Sequence, residues 1–167
     1  MIPSPAMRTL AAGGAAGLLS AAALAWRGRR DAHSAVAPLN ATSHIVWGEE
    51  ALHADRPTLR HTLTGSLLHA GSALMWGLLF DRLLHRLRPP RQAPAVVRSA
   101  VEATAAAAVV DLLLVPRRLT PGFERRLSGR SLALVYAALA AGLVAGTMAI
   151  RQGSREGQRK TGPEGPV

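Results

Sequence analysis

Three long stretches of this chain carry no Asp, Glu, Lys or Arg, and that segregation limits the possible folds more than any other feature. Residues 9–26 form one such block of 18, residues 62–80 one of 19 and residues 131–150 one of 20. At the rise of an α-helix, each can cross a hydrocarbon layer about 30 Å thick. The basic residues gather at the block ends: Arg27, Arg29 and Arg30 after the first, Arg82, Arg86, Arg88 and Arg91 after the second, and Arg151 after the third. Flanking arginines of this kind hold helix ends at lipid headgroups. The same placement accounts for the net charge of +10, carried by 19 arginines and one lysine. Aromatic residues are 4% of the chain and none is interleaved with a basic run, so no nucleic-acid partner is expected. The bilayer itself is the expected partner.

The pattern predicts an all-α integral membrane bundle of four transmembrane helices at about 9–26, 58–84, 93–115 and 131–150. Together these make one domain over 1–150, with a disordered basic tail at 151–167. Ala23-Leu24-Ala25 could be read by a signal peptidase. Yet the first block exceeds a signal's usual apolar length and arginines follow at once, so a retained helix is expected. The third span is broken by Arg98, Glu102 and Asp111, leaving eight uncharged central residues, 103–110. Its insertion relies on the helices beside it. The connection at 27–61 is too long to lack structure. Within it Pro38 can open, and Gly48 close, a short interfacial or re-entrant helix over 38–47, with Trp47 at headgroup level.

Small residues recur at helical spacing: Gly13 and Gly17, then Ser66, Ala70, Ala73 and Gly77, then Gly142 and Gly146. Such faces let helices approach closely, within the bundle or in a homo-oligomer or complex with another membrane protein. Orientation does not follow from charge. With four spans, nine basic residues lie on one side and ten on the other.

Six polar residues are candidates for function. Glu102 is nearest the middle of its span and would serve as a proton carrier or ion ligand if it faced a wet cavity. Arg98, one turn earlier, offers it a structural ion pair instead. Asp111 falls on the opposite helix face from Glu102, so the two cannot form a dyad. It is expected to meet Arg117, Arg118 or a base from another helix. His44, His61 and His69 are the available metal or haem ligands. His61 and His69 share a face but stand about 12 Å apart, too far for one ion. With no cysteine, thiolate chemistry, disulfides and covalent haem attachment are excluded. No Walker loop, dinucleotide fingerprint, nucleophile elbow or His-Glu-x-x-His motif is present. No cofactor and no enzymatic activity are expected.

Several stretches are specific in combination: Pro38-Leu39-Asn40-Ala41-Thr42-Ser43-His44 with Trp47-Gly48, His61-Thr62-Leu63-Thr64-Gly65 with His69, and Pro116-Arg117-Arg118-Leu119-Thr120-Pro121-Gly122-Phe123-Glu124. From 38 to 124 the chain resembles an uncharacterised family of small bacterial inner-membrane proteins. That resemblance implies a multi-pass protein of the bacterial inner membrane and no activity. Leu112 stands where the family's pattern has Tyr after the Asp.

The leading reading is a non-enzymatic structural or accessory membrane component. A small transporter or proton conductor using Glu102 is the second, and a His-dependent metal or haem protein using His44, His61 and His69 the third.

Overall fold

The computed structural model describes residues 3–86 and 92–160, and the described chain is helical with no strand. Helix α1 (Pro5–Asp31) is followed by two short helices, α2 (Ala37–Thr42) and α3 (His44–Trp47), and a 3-10 segment, Gly48–His53. A π-helical turn, Leu59–Leu63, leads into α4 (Thr64–Arg86). Helix α5 (Ala93–Val109) widens into a second π-helical turn, Val110–Leu114, and α6 (Gly129–Lys160) completes the bundle.

Three of these helices, not four, are long and apolar enough to cross a membrane: Pro5–Asp31, Leu59–His85 and Gly129–Ser154. The expected third span is instead the 17-residue α5 and its π-helical turn. Helix α5 by itself is 17 residues long, and Arg98 and Glu102 interrupt its apolar run. At the other end of the chain, α6 continues ten residues past Ile150, where a disordered tail was expected. Arg, Gln and Glu are good helix formers and extend a helix already nucleated by packing. The expectation for 161–167 lies outside the described residues.

Helix α1 is the axis of the bundle, and it runs antiparallel to both of its long neighbours. Its start meets the end of α4, where Arg8 pairs with Asp81, and its later half meets the start, where Ser20 Oγ lies 3.0 Å from His69 Nε2. Against α6 the order is the same: Gly146 packs on Ala11 and Ala12, Gly142 on Ala16, and Arg27 donates to Ser131 Oγ at 2.7 Å. Helices α4 and α6 are therefore parallel, and the chain between them returns through α5 along the height of the bundle.

These contacts are backbone against backbone. A methyl group on Gly77 would stand 2.6 Å from the Gly13 Cα, and one on Gly13 2.9 Å from the Leu74 Cα. At Gly142 and Gly146 an added Cβ would strike the α1 main chain outright. Of the small residues read from the sequence, Gly13, Gly17, Ala73, Gly77, Gly142 and Gly146 lie in these contacts while Ala70 is exposed, and close approach gains dispersion contacts where lipid removes the hydrophobic drive. The outside shows the converse chemistry. Leu18, Leu67 and Leu113 are 75%, 64% and 76% exposed, while Ser20, Ser99, Thr104, Ser131 and Thr147 are buried.

The expected 38–47 helix is present but broken. Ser43 Oγ donates to the Asn40 carbonyl at 2.7 Å and α2 gives way to α3 there, with Gly48 closing the segment at φ 73°. Helix α2 is docked inside the bundle, since Ala37, Pro38, Asn40, Ala41 and Thr42 are all buried. Three glycines receive it: Gly28 against Ser34 and Pro38, Gly65 against the Leu39 carbonyl, and Gly122 against the Ala41 carbonyl. Gly122 has φ 82°, so this position needs glycine twice over. Trp47 lies outside, its Nε1 donating to the Arg60 carbonyl at 3.1 Å with the Arg60 guanidinium 4.5 Å above its ring. Trp26 carries Arg27 and Arg30 in the same way at the same end of the bundle.

If α1 and α6 meet through their main chains, Gly146→Leu must force them apart and lower stability by about 1–3 kcal/mol or more. Gly14→Ala, with open space around it, should leave stability unchanged or raise it by up to about 1 kcal/mol. Thermal unfolding in mild detergent compares the two; equal loss in both would remove the packing argument.

Candidate functional site

The six sequence candidates do not converge. Arg98 Nε donates to Glu102 Oε1 at 2.8 Å, the i to i+4 pair expected, but both residues are exposed on the outer face of α5. Buried His44 places Nδ1 2.9 Å from the Ala41 carbonyl and Nε2 3.4 Å from the Arg117 carbonyl, bracing α3 against the loop before α6. His61 Nδ1 is 3.4 Å from Ser43 Oγ, on the far side of the break between α2 and α3. His69 Nε2 faces Ser20 Oγ and the Gly17 carbonyl, at 3.0 and 3.3 Å. Because Ser20 Oγ is already 2.7 Å from the Ala16 carbonyl as a donor, His69 is the donor to both. Each imidazole thus braces a different junction. Among the described residues no three His, Asp or Glu side chains are grouped to hold a metal.

Asp111 corrects the sequence expectation. Its Oδ2 accepts a hydrogen bond from Tyr136 Oη at 3.2 Å, and no arginine or histidine among the described residues pairs with it. The arginines at 117 and 118 are exposed to the outside instead. Asp111 stands one turn beyond buried Ala107, on the face of α5 opposite exposed Glu102 as its spacing predicts, and the π-helical turn begins beside it. Leu112 packs against the apolar core, and the phenol beside Asp111 comes from the chain's single tyrosine on α6.

Two charged clusters were not singled out from sequence. At one end, Arg8 Nε and Nη2 grip Asp81 Oδ1 and Oδ2 at 2.9 and 3.2 Å, and His85 Nδ1 lies 3.4 Å from Asp81 Oδ1. Asp81 is only 7% exposed. In the sequence it stands between Phe80 and Arg82 and resembles an ordinary flanking charge. Its one signal was being the acid at the end of an apolar block that follows a lone Arg8. At the other end, Asp31 caps α6: its Oδ2 accepts from the Ser128 N–H at 2.8 Å and from the Ser128 and Ser131 hydroxyls, while Arg27 Nη2 reaches Oδ1 at 3.3 Å. The negative charge complements a helix N-terminus. Buried Asn40 ties the long connection together. Its Nδ2 donates to the Ala54 and Arg56 carbonyls at 2.7 and 2.9 Å, and its Oδ1 accepts from Thr62 Oγ1 at 2.7 Å.

Comparison with protein-family models, with curated proteins and with solved structures found no match. The functional reading therefore rests on this geometry.

The Arg8 to Asp81 bridge clamps α1 to α4, and a bidentate, nearly buried pair of this kind resists loss of either partner. A double-mutant cycle with Arg8→Ala and Asp81→Ala, followed by unfolding in detergent, should give a coupling of about 1–3 kcal/mol. Additive single effects would show that the pair contributes nothing.

Proposed function

We propose that this chain is a multi-pass protein of the bacterial inner membrane that acts as a non-enzymatic structural or accessory component of a larger membrane assembly. The observation that carries this reading is the outer face of α5. Val97, Arg98, Val101 and Glu102 lie uncovered there, and Glu102 is tenth of the 22 residues from 93 to 114. An arginine or acid facing lipid near mid-membrane costs about 2.5–3.5 kcal/mol on insertion scales. Covering by a neighbouring protein relieves that cost, and the adjacent small ridge of Val97, Val101 and Ala105 suits helix-on-helix contact.

A fourth crossing belongs to the proposal. With α4 and α6 parallel, the segment that joins them has to return through the layer that they cross, and α5 with its π-helical turn is the segment available. Retention of α1 is supported by its contacts with α4 and α6 along most of its length. The Glu102 conduction reading finds less support, because the carboxylate is engaged by Arg98 and turned outward. The three separately engaged histidines likewise lend little to the metal or haem reading.

On this account the protein stays in the pellet after alkaline carbonate extraction, and in mild detergent it migrates as an assembly larger than its own 17.5 kDa. Replacing Arg98 and Glu102 together by Leu should leave the unfolding temperature nearly unchanged, since an apolar pair can match an ion pair, while the assembly is lost. Release by carbonate would overturn the membrane assignment. A wild-type monomer after crosslinking in native membranes would overturn the accessory role.

A further inference from the structure

Between α4 and the segment joining α5 to α6 the bundle does not close. A cleft of about 290 Å³ remains, with Trp76, Phe123 and Tyr136 among its walls and Asp111, His69 and Ser72 also lining it. Ser72 and Met75, both on α4 and both lining the gap, are exposed, so it opens through the side of the bundle. Ser72 is near the midpoint of the Leu59–His85 span, which puts this opening against acyl chains instead of headgroups. This orientation rests on the bilayer reading above.

The charge arrangement of the cleft is anomalous for this chain. Of the four aspartates, Asp31 is paired with Arg27, Asp55 with Arg126 and Asp81 with Arg8. Among the described residues Asp111 has only the Tyr136 hydroxyl, although the chain holds 19 arginines. Glu124, on the segment that joins α5 to α6, has an Oε2 that is buried with no partner among the described residues. Trp76 is 7% exposed, and its Nε1 likewise has no acceptor among the described residues. Protein groups alone leave this region short of a cation.

We propose that the cleft binds a lipophilic organic cation that enters from the bilayer, its positive centre held beside Asp111 and its apolar groups against Trp76, Phe123 and Tyr136. An unpaired intramembrane carboxylate attracts positive charge, and aromatic faces favour cations that shed water easily. A hydrated inorganic ion is a poor fit, since it would need several oxygen ligands where the walls offer rings and aliphatic groups. The membrane supplies the route and concentrates an apolar cation at the opening.

The test uses the full chain in dodecyl maltoside micelles, which carry no charge, with tetraphenylphosphonium as the probe and equilibrium dialysis as the readout. Saturable binding of one probe per chain above empty micelles is expected. Asp111→Asn should weaken it at least tenfold, Asp111→Glu should retain most of it, and Ser72→Trp, which fills the opening from an exposed position, should abolish it. Tetraphenylborate, the same shape with the opposite charge, should show no dependence on Asp111. Unfolding temperatures of the variants establish that each is folded, and Ser72→Trp keeps the test open if Asp111→Asn is not. Unsaturable uptake by the wild type, or equal affinity in Asp111→Asn and Ser72→Trp, overturns the proposal. Neither result would alter the outcome of carbonate extraction, so failure of the cleft is separable from failure of the membrane reading.

Discussion

Main-chain contact between α1 and its two long neighbours is the constraint on which the rest of this structure depends. Gly13, Gly77, Gly142 and Gly146 remove the side chains that would hold the helices apart, and a single helix is thereby gripped from two sides. Once α4 and α6 both run antiparallel to it, they are parallel to each other. The remaining chain has to climb back between their ends. A weakly apolar segment with three ionisable residues then takes a place that its own composition would not earn. On the proposed reading of a fourth crossing, topology and packing carry α5 where hydropathy alone does not.

The same economy of space governs one end of the bundle. Gly28, Gly65 and Gly122 admit α2 into the helix bundle, and Asn40 supplies the hydrogen bonds that a buried connection would otherwise lack. Arg126 extends this order by donating to the Leu52 carbonyl at 3.0 Å and pairing with Asp55. The Asp31 cap joins the end of α1 to the start of α6. At the opposite end the Arg8 to Asp81 bridge closes α1 on α4. Polar chemistry fixes both ends, and small apolar residues fill the length between them.

Much of this was legible from residue order. The uncharged blocks marked the three long helices, the glycine spacing marked their contact faces, and Pro38 with Gly48 bracketed the docked segment. What was hidden depended on partners far apart in the chain. Asp81 reads as a flanking charge until Arg8 is brought to it, and Tyr136 reads as one more apolar residue of its block until Asp111 is turned toward it. That second miss lies in the partner and not in the face: spacing turned Asp111 away from exposed Glu102, but which side chain meets it there is set by the packing of α6. Arg98 and Glu102 were correctly paired from spacing alone, but which way the pair faces is set by α4 and α6.

On the proposed reading, parallel α4 and α6 oblige the chain to cross the membrane a fourth time. The chain contains no cysteine, so single cysteines placed at His53, His85 and Leu119, all exposed, can be labelled one at a time with a membrane-impermeant maleimide in intact cells and in inverted vesicles. The account predicts that positions 53 and 119 label from the same side and position 85 from the other. Labelling of 85 and 119 together, with 53 opposite, would mean that α5 does not cross, and would contradict it.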